Sequence, residues 1–285
     1  MAAAKNPLVR PYLKWAGGKR QLLPEIKKHL PKDIDDLIYY EPFAGAGAVF
    51  LELQPRKAVI NDINSQLILT YKVIKENSED LIKLLLVHKE MNSKAYYYKI
   101  RNMDRDPEEF NLLTDIEKAA RLIFLNKTCY NGLYRVNSGG AFNVPYGRFK
   151  NPAICREDTI RQIGNYLNTN DVKILNLDFE KAVKGADKNS FVYFDPPYHN
   201  REKTSFTAYQ ADGFTCAEQE RLRNVIVELT KRGVKCLLSN SDTGYIRELY
   251  DNAFFEIITV RAKRTINSDS SGRGAVSEVL IKNRK

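Results

Sequence analysis

Two rhythms of apolar residues alternate along the chain. Between residues 37 and 62, short apolar runs end on turn residues. "LIYYEPFAGAGAVFLEL" predicts a strand, a glycine turn and a short helix, and "KAVINDIN" predicts a second strand ending at Asp62. From 64 to 125 the spacing changes. In "SQLILTYKVIKENSEDLIKLLLVHKEM" apolar residues recur at three- and four-residue intervals, the repeat of one helix face. "RNMDRDPEEFNLLTD" interrupts this pattern and "DIEKAARLIFLNKTC" resumes it, with Thr114 or Asp115 near the N-cap of the new helix. Residues 131–150, "NGLYRVNSGGAFNVPYGRFK", set Asn-Gly, Ser-Gly-Gly and Pro-Tyr-Gly between short aromatic stretches, which reads as a hairpin or a long ordered loop. Further strands are predicted near 172–179, 190–195, 234–240, 255–260 and 277–283, with a helix around 216–232 between two of them. "NSDSSGRGAVS" (267–277) reads as a flexible loop.

Alternating strands and helices predict an α/β sheet, with a helical block and a hairpin inserted after its second strand. A chain of 285 residues, 43% hydrophobic, supports one or two domains with a sizeable core. No apolar run is long enough to predict a membrane span. The first residues, "MAAAKNPLVRPYLKW", lack the apolar centre of a signal peptide, so a cytoplasmic protein is expected. Cys129, Cys155, Cys216 and Cys236 form no C-x-x-C pair, and with three scattered histidines no metal site is legible. Free buried thiols in a reducing compartment are expected instead. The net charge of +10 suits either a polyanionic partner or a basic soluble enzyme.

Two short segments carry candidate chemistry. "EPFAGAG" follows a predicted strand and opens a helix. Gly45 and Gly47 let backbone approach a ligand closely, and a helix N-terminus offers free N–H groups. Position 50 is Phe, so the third glycine of a dinucleotide fingerprint is missing. Asp62, at the end of the second strand, is placed either to hold ribose hydroxyls or to cap the helix that starts near Asn64. "FVYFDPPYHN" (191–200) is a buried-strand pattern that stops on a stiff turn. Prolines fix φ and restrict the residue before them, so Asp195, Pro196, Pro197 and Tyr198 form a rigid unit at a strand's carboxyl end. The Asp195 carboxylate and the Pro196 carbonyl both accept hydrogen bonds, and Tyr198 offers a ring for stacking. An ordinary strand-to-loop turn with a surface tyrosine is the alternative.

"KWAGGKR" (14–20), "EPFAGAG", "NGLYRVN…FNVPYGR" and "DPPY", in this order and with a helical insert, resemble Dam-type DNA adenine-N6 methyltransferases of the alpha group. That family includes solitary methylases and partners of restriction enzymes that act on GATC. The resemblance implies a Rossmann-like S-adenosylmethionine-dependent methyltransferase fold. Residues 1–66 and 153–285 would form the catalytic, cofactor-binding domain, and 67–152 a mainly helical target-recognition domain with its hairpin. S-adenosyl-L-methionine would be bound by Trp15, Lys19, Phe43, Gly45, Gly47, Asp62, Asp178, Phe179 and Asp195, and catalysis would fall to Asp195, Pro196, Pro197 and Tyr198. The partner implied is double-stranded DNA, contacted by Lys14, Tyr130, Asn131, Leu133 and Arg135. Of these, Arg135 would read a guanine and Tyr130, Asn131 and Leu133 would fill or flank the gap of a flipped base. "RAKRTINSDSSGRG" would meet phosphates, or is a solvated loop. The resemblance further implies a monomer of bacterial or phage origin, associated with the nucleoid, either solitary or with a cognate restriction endonuclease in the same system that it does not contact.

The chemistry of that reading is self-consistent. The lone pair of adenine N6 is delocalised into the ring, and two acceptors on its hydrogens favour a pyramidal, nucleophilic nitrogen. Cytosine-C5 methylation needs an attacking thiolate, and no Pro-Cys motif is present. Cytosine-N4 methylation, which uses the same acceptors, and a catalytically silent DNA-binding module are the alternatives.

Overall fold

The computed structural model describes residues 5–19, 21–199, 214–263 and 275–284. Seven strands lie among them: β1 (Ile38–Glu41), β2 (Lys57–Asn61), β3 (Asp171–Leu175), β4 (Ser190–Phe194), β5 (Lys235–Ser241), β6 (Phe255–Lys263) and β7 (Ala275–Asn283). The chain divides into two compact units. One comprises Met1–Gly18, Ala44–Arg56 and Asp62–Asn176; the other Lys19–Phe43, Lys57–Asn61 and Leu177–Lys285.

The second unit is built on β2-β1-β4-β5-β7-β6, in that order across the sheet. The first four run parallel: Tyr39 faces Ala58 on one side and Phe191 on the other, and Val192 faces Cys236. β7 then enters antiparallel between β5 and β6, with Asn240 opposite Val279 and Val279 opposite Thr259. All five residues of β4 are buried, as a central parallel strand covered on both faces requires. Its polar atoms are satisfied inside: the Tyr193 hydroxyl shares a 2.6 Å hydrogen bond with Ser239.

The first unit holds β3 and the helices Ser65–Glu76, Ser78–Glu90, Lys94–Asn102, Asp115–Thr128 and Glu157–Thr169. Thr114 is the N-cap of Asp115–Thr128 and forms a reciprocal capping box with Glu117, so the expected cap is Thr114 rather than Asp115. That helix buries nine residues, Arg121 among them. The segment after it folds back as a hairpin. Cys129 bridges Tyr146, Val136 bridges Phe142, and the Asn143 N–H donates to the Arg135 carbonyl at 3.0 Å. Lys14, Tyr130, Asn131, Leu133 and Arg135 all belong to this unit, as do Trp15, Gly45, Gly47 and Asp62.

Three expectations differ from the structure. The strand predicted over 172–179 stops at Leu175, because Asp178 instead caps a short helix, Phe179–Ala182, by accepting from the Glu180 N–H. Of the loop read over 267–277, residues 267–274 lie outside the described residues and 275–277 are already strand. All four cysteines are free, but only Cys129 and Cys236 are buried; Cys155 is half-buried and Cys216 exposed. No helix among the described residues is long and apolar enough to cross a membrane.

Candidate active site

In the first unit, the turn after β1 is organised around two glycines in the left-handed region, Gly45 (φ 51°) and Gly47 (φ 72°). A Cβ on Gly45 would sit 3.1 Å from Trp15 Cδ1, and one on Gly47 only 2.6 Å from the Tyr71 hydroxyl. Tyr71 needs that closeness, since its hydroxyl donates to the Gly45 carbonyl at 3.0 Å. Trp15 is half-buried and stacks on Tyr134, with centroids 5.0 Å apart and planes 27° apart. The free N–H groups expected of a helix start here are not what the turn offers. The helix that follows is only Phe50–Leu53, the Gly47 N–H closes a turn onto Ala44, and the Gly45 N–H donates to Asp62 Oδ2 at 3.0 Å.

Asp62 thereby bridges two segments. Its Oδ1 accepts from the Asn64 N–H at 2.9 Å, while the N-cap of the next helix is Asn64 itself, bonded to the Leu67 N–H. Burial raises the Asp62 pKa and the two backbone hydrogen bonds oppose that rise. A carboxylate has about four lone-pair directions, and these bonds use two.

In the second unit, Asn61 ties the end of β2 to two loops. Its amide donates to the carbonyls of Pro42 and Leu177 at 3.0 and 2.9 Å and accepts from the Leu177 N–H at 2.8 Å. This buried side chain thus fixes both Phe43 and Asp178 through their neighbours. Phe43, Phe179 and Phe214 form a three-ring cluster with centroids 5.3–5.8 Å apart. Arg221 lies over the Phe179 ring at 4.3 Å and pairs with Asp178 at 2.7 Å. Neither Asn61 nor Arg221 is marked by any motif. An asparagine at the end of an apolar run is the one local sign of the first, and helix spacing from Glu218 the one sign of the second.

The DPPY segment leaves the carboxyl end of β4. Asp195 is 17% exposed and pairs at 2.8 Å with Lys19, itself 6% exposed. Burial pushes the Asp195 carboxyl up to about 6; the Lys19 ammonium opposes that rise and Glu278 adds to it. Lys19 also lies over the Tyr198 ring, 4.3 Å from its centroid, and the Tyr198 hydroxyl donates to Glu278 at 2.8 Å. Pro196 is buried and Pro197 exposed. Gln219 donates to the Pro197 carbonyl at 3.1 Å and accepts from Asn240 at 3.0 Å. The turn is therefore braced by the helix Cys216–Lys231 and by β5 as well as by its own prolines. Tyr198 is half-buried rather than a surface ring.

The hairpin of the first unit presents large side chains to solvent: Tyr130 is 51% and Leu133 40% exposed. Asn131 is left-handed at φ 55°. Gly132 gives room to the Lys14 stem, since a Cβ there would lie 2.5 Å from Lys14 Cδ; the Lys14 ammonium sits 4.8 Å from the centre of the Phe149 ring. Arg135 is exposed and held by Asn143, with its Nε donating to Oδ1 at 2.7 Å. That side-chain amide, not an acidic residue, orients the guanidinium. Most of "RAKRTINSDSSGRG" (264–274) lies outside the described residues. Among the described residues no grouping of His, Cys, Asp and Glu is placed to hold a metal ion.

A parallel sheet that bears a glycine turn after β1 and a proline-stiffened acidic turn after β4, and that ends in an antiparallel pair, defines a Rossmann-like S-adenosylmethionine-dependent methyltransferase. The family model of the D12 class N6 adenine-specific DNA methyltransferases matches residues 15–266, and the chain belongs to that family. The type II methyltransferase M1.LlaDCHI of Lactococcus lactis subsp. cremoris is 48% identical over 281 residues, covering 98% of this chain and 97% of that one. The type II methyltransferase M.MjaIII of Methanocaldococcus jannaschii is 44% identical, over 96% of this chain and 99% of its own. A DNA adenine methylase of Serratia marcescens is 39% identical, over 95% and 97%. The chain is a DNA adenine-N6 methyltransferase that uses S-adenosyl-L-methionine, and its substrate is DNA. Membership sets aside the cytosine-N4 and catalytically silent readings.

Proposed function

We propose that the enzyme methylates adenine N6 within GATC in double-stranded DNA, on a base turned out of the helix. The observation that supports this most is the placement of Asp195: a half-buried carboxylate on a rigid turn, beside a half-buried tyrosine ring. Asp195 and the Pro196 carbonyl accept the two amino hydrogens and orient the nitrogen lone pair. Tyr198 stacks on the extruded base and offsets part of an unstacking cost of roughly a few kcal/mol. A protonated Asp195 loses an acceptor, so the ion pair with Lys19 keeps the group in its working state.

The residues suit the cofactor. S-adenosylmethionine supplies an activated methyl group on a sulfonium. Gly45 and Gly47 keep the turn backbone free of side chains for the methionine portion beside Phe43, Asp62 retains acceptor capacity for ribose hydroxyls, and the Phe179 ring suits an adenine. Trp15 contacts Gly45 within the first unit, and Asp178 pairs with Arg221 within the second; each is assigned to the cofactor on that account. Lys19, assigned to the same pocket, also pairs with Asp195.

Recognition rests on the exposed hairpin. Arg135, oriented by Asn143, bridges O6 and N7 of a guanine, Lys14 contacts a second base, and Tyr130, Asn131 and Leu133 occupy or border the space that the flipped base leaves. Relatives named type II methyltransferases and DNA adenine methylases support this site class. The enzyme acts as a monomer in the compartment that holds the DNA, and a restriction endonuclease of the same specificity accompanies it without contact. Methylation rates on GATC duplexes and on each single-base variant test the assignment. Arg135→Ala relaxes one base pair by about ten- to a hundredfold. A uniform loss over all duplexes makes Arg135 a phosphate contact instead.

A further inference from the structure

The tyrosine of the DPPY segment is held at more points than stacking alone requires. Its hydroxyl donates to Glu278 on β7 at 2.8 Å. The Lys19 ammonium covers one face of its ring, and the same ammonium binds Asp195. The next residue is fixed on both sides of its backbone: the His199 N–H donates to Asn240 Oδ1 at 3.3 Å, and its carbonyl accepts from the Ser241 hydroxyl at 2.5 Å. Ser241 and Glu278 are direct partners across β5 and β7. One antiparallel pair therefore supplies both the backbone clamp at 199 and the carboxylate that fixes the ring. Glu278 stands mid-strand, flanked across the sheet by Ser241 and Val260. A carboxylate two strands away from β4 would be a poor choice if only an apolar contact with the ring were needed.

We propose that Glu278 is a positioning residue for methyl transfer: through the Tyr198 hydroxyl it fixes the plane of the ring on which the target base stacks. This rests on the function proposed for Asp195 and Tyr198. The carboxylate pulls on the phenol, Lys19 closes one ring face, and the base is left the opposite face. The ring, the carboxylate of Asp195 and the prolines between them then move as one body. A base stacked on a ring free to swing presents its amino group to Asp195 only part of the time. Glu278 removes that freedom without touching DNA or cofactor.

Three variants and one double variant test this by single-turnover methyl transfer on a GATC duplex, with cofactor and DNA affinities measured separately. Glu278→Ala and Tyr198→Phe each lower the transfer rate, by about 10²-fold if the amine is displaced on the scale of an ångström. Both leave S-adenosylmethionine and duplex affinities unchanged. Glu278→Gln keeps an acceptor for the phenol and restores most of the rate. The double variant Glu278→Ala/Tyr198→Phe is no slower than either single one, because each breaks the same bond. Full activity in Glu278→Ala, failure of Glu278→Gln to restore the rate, or additive losses in the double variant would each overturn the proposal. Tyr198→Phe keeps the test open if Glu278→Ala does not fold, since it breaks the bond from the other end. Asp195→Ala separates the role of Glu278 from that of the DPPY segment. If it is inactive while Glu278→Ala is fully active, only the role of Glu278 falls; if Asp195→Ala retains normal turnover, the reading of the whole DPPY segment falls.

Discussion

Asp195 was legible as a candidate because two prolines mark its turn; its electrostatics were not. The partner that opposes the upward shift of its pKa, Lys19, lies in the "KWAGGKR" segment far back in sequence, and no spacing rule joins the two. The same holds for Glu278, which reads in "SEVLIKN" as one polar residue of a strand. Asp62 is intermediate: its place after a strand pointed to it, but its two backbone partners required coordinates. The carboxyl pushed up to about 6 has a direct consequence for rate. Below that value Asp195 is protonated and loses an acceptor, so single-turnover transfer falls as pH drops through it, by about tenfold per unit. The Lys19 ammonium opposes the upward shift, so Lys19→Met moves this acid limb to higher pH. A profile flat from about pH 8 to about pH 5, or a limb unmoved in Lys19→Met, contradicts the assignment.

At the scale of elements, the helices and strands with clean periodicity were legible, with the cap before Asp115–Thr128 narrowed to Thr114 or Asp115 and found at Thr114. What failed was local polar chemistry at their ends. The run "VKILNLDF" looks like one strand, yet Asp178 accepts the Glu180 N–H and turns its last residues into a helix start. Arg121 was similarly opaque, because an arginine within "DIEKAARLIFLNKTC" reads as a surface position. It is 1% exposed and pairs with Asp104 at 2.8 Å. Asp104 also accepts the Phe142 N–H at 2.7 Å, while Arg105 donates to the Phe142 carbonyl at 2.8 Å. These two residues clamp the strand opposite Arg135, so helix packing and hairpin placement share one buried ion pair. Asp104→Ala leaves the Arg121 guanidinium buried without its counter-ion. Denaturant unfolding should show a loss of roughly 3–5 kcal/mol. A loss below about 1 kcal/mol, the range of an exposed pair, contradicts this.

At the scale of the whole molecule, the order of the motifs carried the most information. A glycine turn, a helical insert with its hairpin and DPPY follow one another in this chain, and the family match spans residues 15–266. The net charge of +10 agreed with a DNA substrate but did not single it out, since charge reports a polyanion and not which one. The grouping of the glycine turn with the helices was not legible either, because compactness depends on contacts between segments distant in sequence. The central proposal is that Asp195 directs methylation of adenine N6 at GATC. The most direct test treats unmethylated plasmid DNA with the purified enzyme and S-adenosylmethionine and reads modified positions by sequencing, in parallel with Asp195→Ala. N6-methyladenine is expected at GATC sites with the parent enzyme and essentially none with the variant, although the variant still binds DNA and cofactor. Methylation at another sequence, or a variant that marks GATC as fast as the parent, would contradict it.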